Sequence, residues 1–114
     1  ALWHKKLFHI DLNGQQIDGP TEKVMSNRDL KAKYKAFGWN VMRMDGNNAE
    51  DIQNTLNKAK AELGKGSPIM IIMKTEMGAG VDFMMYSHKW HGVAPNDQQL
   101  QDALAQLEET LGDY

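Results

Sequence analysis

The fold class is decided by one apolar run in the middle of the chain, Pro68-Ile69-Met70-Ile71-Ile72-Met73. A strand with one face in water alternates apolar and polar residues, whereas a run with no polar member predicts a strand covered on both faces. Such strands are typical of parallel sheets with helices packed on either side. We therefore predict an α/β fold with a parallel sheet and flanking helices.

The residues before this run predict two further strands, each followed by a helix. The strands cover Leu7–Leu12 and Trp39–Met44, the second ending at Asp45-Gly46. A first helix is predicted after a cap at Ser26 or Asn27 and ends at Gly38, with an apolar spacing of Leu30, Tyr34 and Phe37. A second helix is predicted after a cap at Asn48, with an apolar stripe of Ile52, Leu56, Ala59 and Leu63.

The residues after the apolar run predict a long irregular loop and then a last helix. The stretch 74–95 has little periodicity, and long loops of this kind in compact domains are often functional. Asn96 is predicted to cap the last helix, whose packing face is Leu100, Ala103, Leu104, Leu107 and Leu111. The order of elements indicates βαβαβ winding, in which crossovers are nearly always right-handed.

Composition excludes several classes of function for this chain of 114 residues. Thirteen basic and fifteen acidic side chains leave it nearly neutral, which gives no support to binding of nucleic acid or of an anionic membrane surface. No apolar run approaches the roughly 20 residues of a membrane span. There is no cysteine, so thiolate metal sites are excluded, and we expect a cytoplasmic location. The chain begins at Ala1 without a start methionine, and we expect it to begin partway through a domain.

A cluster of oxygen-bearing residues follows the first predicted strand. The segment reads Asp11-Leu12-Asn13-Gly14 and closes on a second turn, Asp18-Gly19-Pro20. Such a cluster, with a glycine to bend the backbone, can hold a hard cation, and ligands bind beyond the carboxyl ends of strands in α/β sheets. On local sequence alone, a simple turn-forming role for Asn13 is the stronger alternative.

Four motifs together resemble transketolase. They are Asp11-Leu12-Asn13-Gly14-Gln15-Gln16-Ile17-Asp18-Gly19, Ala36-Phe37-Gly38-Trp39, Lys74-Thr75 with Gly78-Ala79-Gly80, and Trp90-His91-Gly92. The similarity follows nearly the whole chain in order. It implies a thiamine-diphosphate-binding fold, with residues 1–114 forming the second half of that domain or of a separate N-terminal subunit.

The resemblance also implies a site. The side chain of Asn13 and the main-chain carbonyl of Gln15 match metal ligands, for Mg²⁺ or Ca²⁺, and the metal bridges the phosphates of thiamine diphosphate. A further ligand in the family is an aspartate in an upstream Gly-Asp-Gly segment, which this chain lacks. Ile17 and Met77 match positions near the cofactor. His91 matches the active-site histidine, which lies near the diphosphate of the cofactor and the reacting end of the sugar, so the resemblance implies both a cofactor-binding and a catalytic role for it.

The implied function is transfer of a two-carbon ketol unit from a ketose phosphate to an aldose phosphate in pentose phosphate metabolism. The family builds its active site in homo- or hetero-oligomers, typically dimers, and the activating glutamate comes from a pyrimidine-binding domain or a C-terminal subunit. The chain alone is therefore expected to be inactive. Two alternatives stay open. One is another thiamine-diphosphate enzyme, such as deoxyxylulose-phosphate synthase or a relative acting on an unusual sugar. The other is a non-catalytic assembly subunit.

Asp11 and the pair His88 and His91 also resemble metal ligands, but in each case another interpretation is favoured. Asp11 is expected to brace the loop and not to ligate the metal. His88 and His91 are spaced like a zinc pair, but no third ligand is nearby in sequence, so zinc is disfavoured.

Overall fold

The computed structural model describes residues 5–108 as an α/β unit. In chain order its elements are β1 (Leu7–Leu12), β2 (Gln15–Gln16), β3 (Gly19–Pro20), α1 (Thr21–Val24), α2 (Leu30–Ala36), β4 (Asn40–Asp45), α3 (Ala49–Glu62), β5 (Ile69–Lys74), a 3-10 turn (His88–Trp90) and α4 (Asp97–Leu104).

The main sheet is parallel and has the strand order β1-β5-β4, as the sequence predicts in class and direction. The strands end in register, because both Leu12 of β1 and Asp45 of β4 lie opposite Lys74 of β5. The segments that follow all three strands therefore leave the sheet at the same edge. This places the Asn13 turn and the long loop after β5 on one side of the molecule.

The central strand β5 is buried along most of its length. Residues 69–72 are buried, and Ile69 and Ile71 have no accessible surface. They pack with Met44 of β4 and Ala59 of α3 to form the core. Full burial of an isoleucine side chain contributes roughly 1.5–3 kcal/mol, so the predicted apolar run is also the main source of packing energy in this sheet.

Two of the three predicted helix caps are confirmed. The Asn48 side chain accepts a hydrogen bond from the main-chain N–H of Asp51 at 3.0 Å and begins α3. Asn96 begins α4, where its side chain and that of Gln99 each accept a hydrogen bond from the other residue's main-chain N–H. These reciprocal bonds satisfy main-chain donors that a helix start otherwise leaves unpaired.

The predicted cap of the first long helix is wrong. Asp29 caps α2, with its carboxylate accepting from the N–H of Ala32 at 2.9 Å, and neither Ser26 nor Asn27 does so. The reason is the left-handed backbone of Arg28, with φ of 52°, which interrupts any helix started earlier. The hydroxyl of Ser26 instead accepts the Arg28 N–H at 3.1 Å. The antiparallel β2–β3 pair and the single-turn α1 before this point were not predicted either.

The predicted apolar faces are only partly buried. On α3 the buried positions are Thr55 and Ala59, whereas Leu56 and Leu63 are exposed. Phe37 lies beyond the end of α2 and is 81% exposed. On α4 only Ala103 is buried, while Leu100, Leu104 and Leu107 are exposed, and Leu111 lies outside the described residues. Helix spacing thus predicted the helices, but these apolar side chains lack cover within residues 5–108.

No helix in the described part of the chain is long and apolar enough to cross a membrane.

Candidate functional site

The Asn13 turn is held by its own side chain. Asn13 directly follows β1, and its side-chain Oδ1 accepts a hydrogen bond from the main-chain N–H of Gln15 at 2.9 Å. Gly14 adopts φ of 74°, and its carbonyl accepts from the N–H of Thr21 at 2.9 Å. The turn-forming role that the sequence left open for Asn13 is therefore real. An amide oxygen has two lone pairs, so this bond leaves one for a further partner.

The main-chain carbonyl of Gln15 points away from its ladder partner. Gln15 pairs with Pro20 across the β2–β3 hairpin, and in the adjacent pair the N–H of Thr21 donates to the carbonyl of Gly14. Hydrogen-bonded and non-hydrogen-bonded pairs alternate along an antiparallel ladder, so Gln15 and Pro20 exchange no hydrogen bond. The oxygen two residues after Asn13 is thus not taken by its cross-strand neighbour. It retains acceptor capacity on the same short turn.

Two amide side chains in this hairpin have buried atoms without a partner. Gln15 Oε1 and Gln16 Nε2 are inaccessible to solvent and form no hydrogen bond within the described residues. A buried polar atom left unpaired costs about 1–3 kcal/mol. The hairpin therefore has unmet capacity for one donor and one acceptor, beyond the two candidate ligand oxygens. The sequence did not single out either side chain, since a pair of glutamines carries no recognisable spacing.

Strands β1 and β5 are joined by a side-chain hydrogen bond at the carboxyl edge of the sheet. The hydroxyl of Thr75, just after β5, donates to the carboxylate of Asp11 near the end of β1. The main-chain N–H of Glu76 donates to Asn47 Oδ1 at 2.7 Å, which joins the loop after β5 to the loop after β4. The Asp11 contact agrees with the bracing role expected for that carboxylate. Asn47 was missed, although an amide two residues beyond a predicted strand end could have suggested it.

The long loop after β5 is ordered around Trp90. The indole Nε1–H donates to the carbonyl of Phe83 at 2.9 Å, and the two rings pack with centroids 5.5 Å apart. The next residue, His91, donates its main-chain N–H to the carbonyl of His88 at 3.0 Å and has an exposed side chain. The 3-10 turn before it contacts β3. The loop that carries His91 is thus packed against the hairpin that carries Gln15.

The two remaining predicted cofactor positions lie at the same edge of the molecule. Ile17 occupies the tip of the β2–β3 hairpin and is 67% exposed. Met77 is half-buried in the first turn after β5, which is closed by a bond from the N–H of Ala79 to the carbonyl of Glu76 at 3.2 Å. An exposed isoleucine at a hairpin tip provides an apolar surface that a ligand or a partner can contact.

A metal site built only from acidic and histidine side chains is absent from residues 5–108, where no three such groups cluster. The oxygen donors that the Asn13 turn offers are one amide and one carbonyl, which suit a hard cation. Calcium and magnesium take six or more oxygen ligands. The turn therefore fits a part of such a shell, and the other ligands must come from elsewhere.

Comparison with known families gives one domain-level match. The family described as "Transketolase, thiamine diphosphate binding domain" matches residues 4–112.

Two curated relatives are similar over about nine-tenths of the chain. An apulose-4-phosphate transketolase subunit of Phocaeicola vulgatus is 35% identical over 102 residues, covering 90% of this chain and 36% of the relative. The "6-deoxy-6-sulfo-D-fructose transketolase subunit SqwG" of a Clostridium species is 34% identical over 108 residues, covering 91% of this chain and 38% of the relative. The chain thus spans little more than a third of the length of these proteins.

A solved structure shares the fold. The transketolase of Campylobacter jejuni superposes with a TM-score of 0.79 and 27% sequence identity, covering 90% of this chain and 16% of that one.

Proposed function

Because this chain belongs to the transketolase family, by its thiamine diphosphate binding domain, we propose that it is part of a transketolase. The reaction is transfer of a two-carbon ketol unit from a ketose phosphate to an aldose phosphate. The observation that carries this proposal is the packing of the His91 loop against the hairpin that follows Asn13. Residues 1–114 are proposed to form the second half of the cofactor-binding domain.

The chain's contribution to cofactor binding is assigned to the Asn13 turn. Asn13 Oδ1 and the main-chain carbonyl of Gln15 would hold Mg²⁺ or Ca²⁺, supported by the spare lone pair of the first and the non-hydrogen-bonded ladder position of the second. When bound, thiamine diphosphate supplies the carbon–carbon chemistry, and the cation neutralises its diphosphate. The exposed Ile17 and the half-buried Met77 would supply apolar contacts to the cofactor.

His91 is assigned to the reacting end of the substrate. Its exposed imidazole can donate to or accept from sugar oxygens, and histidine is the side chain best suited to proton transfer near neutral pH. The Trp90 anchor holds the adjacent backbone, and the exposed imidazole of His91 stays available to a ligand. The role proposed for His91 is to orient the sugar and to move a proton at one of its oxygens.

A partner is proposed to complete the site. Both curated relatives described above are named as transketolase subunits, and thus as parts of an assembly. We propose that the partner is a pyrimidine-binding domain or a C-terminal subunit, in a homo- or hetero-oligomer located in the cytoplasm. The partner would supply the glutamate that activates the cofactor.

The identity of the sugar substrates separates two versions of this proposal. One relative is named for a sulfonated sugar and another for apulose 4-phosphate, which favours a transketolase acting on an unusual sugar as the second candidate. Turnover assays with a ketose phosphate and with a sulfonated ketose as alternative donors, each with ribose 5-phosphate as the acceptor, would separate this candidate from a pentose phosphate enzyme.

The assembled protein allows a direct test of the metal ligands. Calorimetry with thiamine diphosphate, at limiting and at saturating Mg²⁺, is expected to show metal-dependent binding. Asn13→Ala removes one ligand oxygen and is expected to weaken binding at least tenfold at limiting Mg²⁺, with partial recovery at saturation. The matched control is Asn54→Ala, which removes an exposed amide from α3.

Two results would contradict the proposal in different ways. Unchanged metal-dependent binding in Asn13→Ala would show that the ligand assignment is wrong. Absence of any metal-dependent cofactor binding in the wild-type assembly would instead support a non-catalytic assembly role.

A further inference from the structure

A large cleft opens at the carboxyl edge of β4 and β5. It has a volume of about 860 Å³ and lies between this edge and the start of α2. Small-molecule sites typically measure about 300–1,000 Å³, so the cleft has the size of a metabolite pocket. The cleft is not lined by any of the predicted site residues Asn13, Gln15, Ile17, Met77 and His91. The proposed cofactor site therefore does not account for this cleft.

Four cationic side chains line the cleft, namely Arg28, Lys31, Arg43 and Lys74. Within residues 5–108 none of them forms an ion pair, and none donates a side-chain hydrogen bond. The cleft thus presents unengaged donors to a ligand.

The four carboxylates of the same cleft are already occupied by main-chain donors. Asp29 accepts from Ala32 at 2.9 Å and Asp45 accepts from Asn47 at 3.0 Å. The other two, Asp51 and Glu76, accept from the N–H groups of Asp45 at 2.6 Å and of Tyr86 at 3.0 Å.

These bonds place the carboxylates in fixed positions in the wall and satisfy part of their charge. The cleft is balanced in formal charge, but each carboxylate already accepts one main-chain hydrogen bond, whereas none of the four cationic side chains donates any to another described residue. This asymmetry favours an anionic ligand over a cationic one.

The backbone of the cleft is also unusual. Arg28 and Tyr86, with φ of 52° and 59°, are the two non-glycine residues with positive φ within the described part of the chain, and both line this cleft. For a bulky residue such as tyrosine this conformation is rare and costs of order 1–3 kcal/mol. Strain of this kind is concentrated at ligand sites, where the surrounding structure holds a side chain in a required position. Here it presents one guanidinium and one phenol ring to the same space.

We infer that this cleft is a second ligand site, which binds a small phosphorylated organic molecule apart from the thiamine diphosphate site. Arg28 and Arg43 bind the phosphate, since a guanidinium matches phosphate oxygens with paired N–H donors. The ring of Tyr86, 73% exposed, packs against the organic part of the ligand.

The second site adjoins the cofactor turn without sharing its candidate ligands. Arg28 and Lys74 also line a smaller cavity of about 200 Å³ that reaches Gly14. A ligand in the large cleft would therefore lie beside the Asn13 turn, in a space that neither Asn13 nor Gln15 lines. Its binding can be measured with the cofactor site already filled.

The test uses the assembled protein saturated with thiamine diphosphate and Mg²⁺, titrated calorimetrically with AMP, adenosine and inorganic phosphate. AMP is the probe because it joins a phosphate to an aromatic ring. We expect AMP to bind saturably and at least tenfold more tightly than adenosine. The double variant Arg28→Gln/Arg43→Gln is expected to lose at least tenfold in AMP affinity, and Tyr86→Leu is expected to weaken AMP but not inorganic phosphate.

Matched controls separate a built site from general charge. Lys35→Gln/Lys58→Gln removes the same charge from exposed positions outside the cleft and is expected to change AMP affinity less than twofold. Arg43→Lys, which keeps the charge but loses the paired donors, gives a milder test should the double variant lower the melting temperature.

The inference would be overturned by absence of saturable AMP binding, by equal binding of adenosine and AMP, or by an equal loss in the lysine control. Inorganic phosphate binding as tight as AMP binding, with no effect of Tyr86→Leu, would contradict the claim that the ligand has an organic part. Because the cofactor site is saturated throughout, and Asn13→Ala is expected to leave AMP affinity unchanged, failure here leaves the proposed transketolase function intact.

Discussion

A single amide explains why local sequence was ambiguous at the candidate site. Asn13 closes the turn after β1 through its bond to the Gln15 N–H, as an asparagine in any Asx turn would. The same oxygen retains a lone pair, and the Gln15 carbonyl belongs to a ladder pair that exchanges no hydrogen bond. Turn formation and cation binding are therefore compatible at this residue. The turn holds the two oxygens close together in sequence and in space.

The role proposed for His91 predicts a defect in turnover and not in assembly. His91→Ala in the assembled protein is expected to lower kcat by about 10²–10⁴-fold, the usual contribution of a positioned proton-transfer group. Cofactor affinity should change little, because the metal ligands assigned here lie on the other segment. Steady-state kinetics and calorimetry on the same preparation measure the two effects.

The exposed His9 of β1 offers a histidine control. His9→Ala should leave kcat within a factor of two. A His91→Ala enzyme with wild-type kcat would remove this residue from the proposed mechanism.

Gly46 is predicted to be required for packing. A Cβ at this position would lie 2.5 Å from Met73 Cγ and 2.5 Å from Thr75 Cγ2. Overpacking of this kind costs about 1–3 kcal/mol, so Gly46→Ala should lower the free energy of unfolding by that amount in a urea titration.

A second substitution tests the cause of the Gly46→Ala effect. Thr75→Ser removes the obstructing methyl but keeps the hydroxyl that donates to Asp11. In the Gly46→Ala/Thr75→Ser double variant we expect part of the loss to be recovered. Strict additivity of the two changes would show that the clash with Thr75 is not responsible.

Among the elements, α3 has a start that depends on one side chain. The side-chain oxygen of Asn48 accepts a hydrogen bond from the main-chain N–H of Asp51, and we expect its replacement to destabilise the protein. Asn48→Ala should destabilise the protein by about 1 kcal/mol, the typical effect of losing a cap. Asn57→Ala, at an exposed position within the same helix, should be neutral or slightly stabilising, because alanine is the better helix former there. Thermal unfolding of the two variants side by side checks this, and equal melting temperatures would refute the capping argument.

The short hairpin β2–β3 shows what an element too small for sequence patterns can do. Each of its strands has two residues, so no alternation can be recognised along them. Yet the hairpin carries Gln15 and exposes Ile17 at its tip, and its strand β3 contacts the 3-10 turn that precedes His91. The role proposed for the hairpin depends on contacts between segments about seventy residues apart in the chain.

At the scale of the whole molecule, the chain has more surface than its mass predicts. Its accessible surface is 8429 Å², whereas a compact monomer of this mass has about 6300 Å². Its radius of gyration is 17.3 Å, against about 13 Å for a compact domain of this length. Exposed leucines on α4 and the exposed Phe37 belong to this excess. We expect much of this surface to be covered in the assembled protein.

The molecule by itself is accordingly predicted to be inactive. Incubation of the isolated chain with thiamine diphosphate, Mg²⁺ and a ketose phosphate donor should give no turnover, because the third metal ligand and the activating glutamate are assigned to other segments. Addition of the partner subunit or domain should restore it. Turnover by the chain alone would contradict the assignment of those groups to a partner.

The sequence by itself determined the class of the main sheet and the order of its three strands and the longer helices along the chain. The apolar run from Ile69 to Ile72 predicted a central buried strand, and the side chains of Asn48 and Asn96 marked two helix starts. These features depend on neighbours a few residues away, so a local pattern is enough to predict them. The four motifs also identified the family.

Only the tertiary structure decided which apolar faces are covered and which polar groups meet. Leu56 and Leu104 have helix spacing but stay exposed, while Thr55 is buried. The left-handed Arg28 and Tyr86, far apart in the chain, come together in one cleft. The reason is that burial and convergence depend on how elements pack across the fold, and periodicity along one segment carries no information about what lies opposite to it.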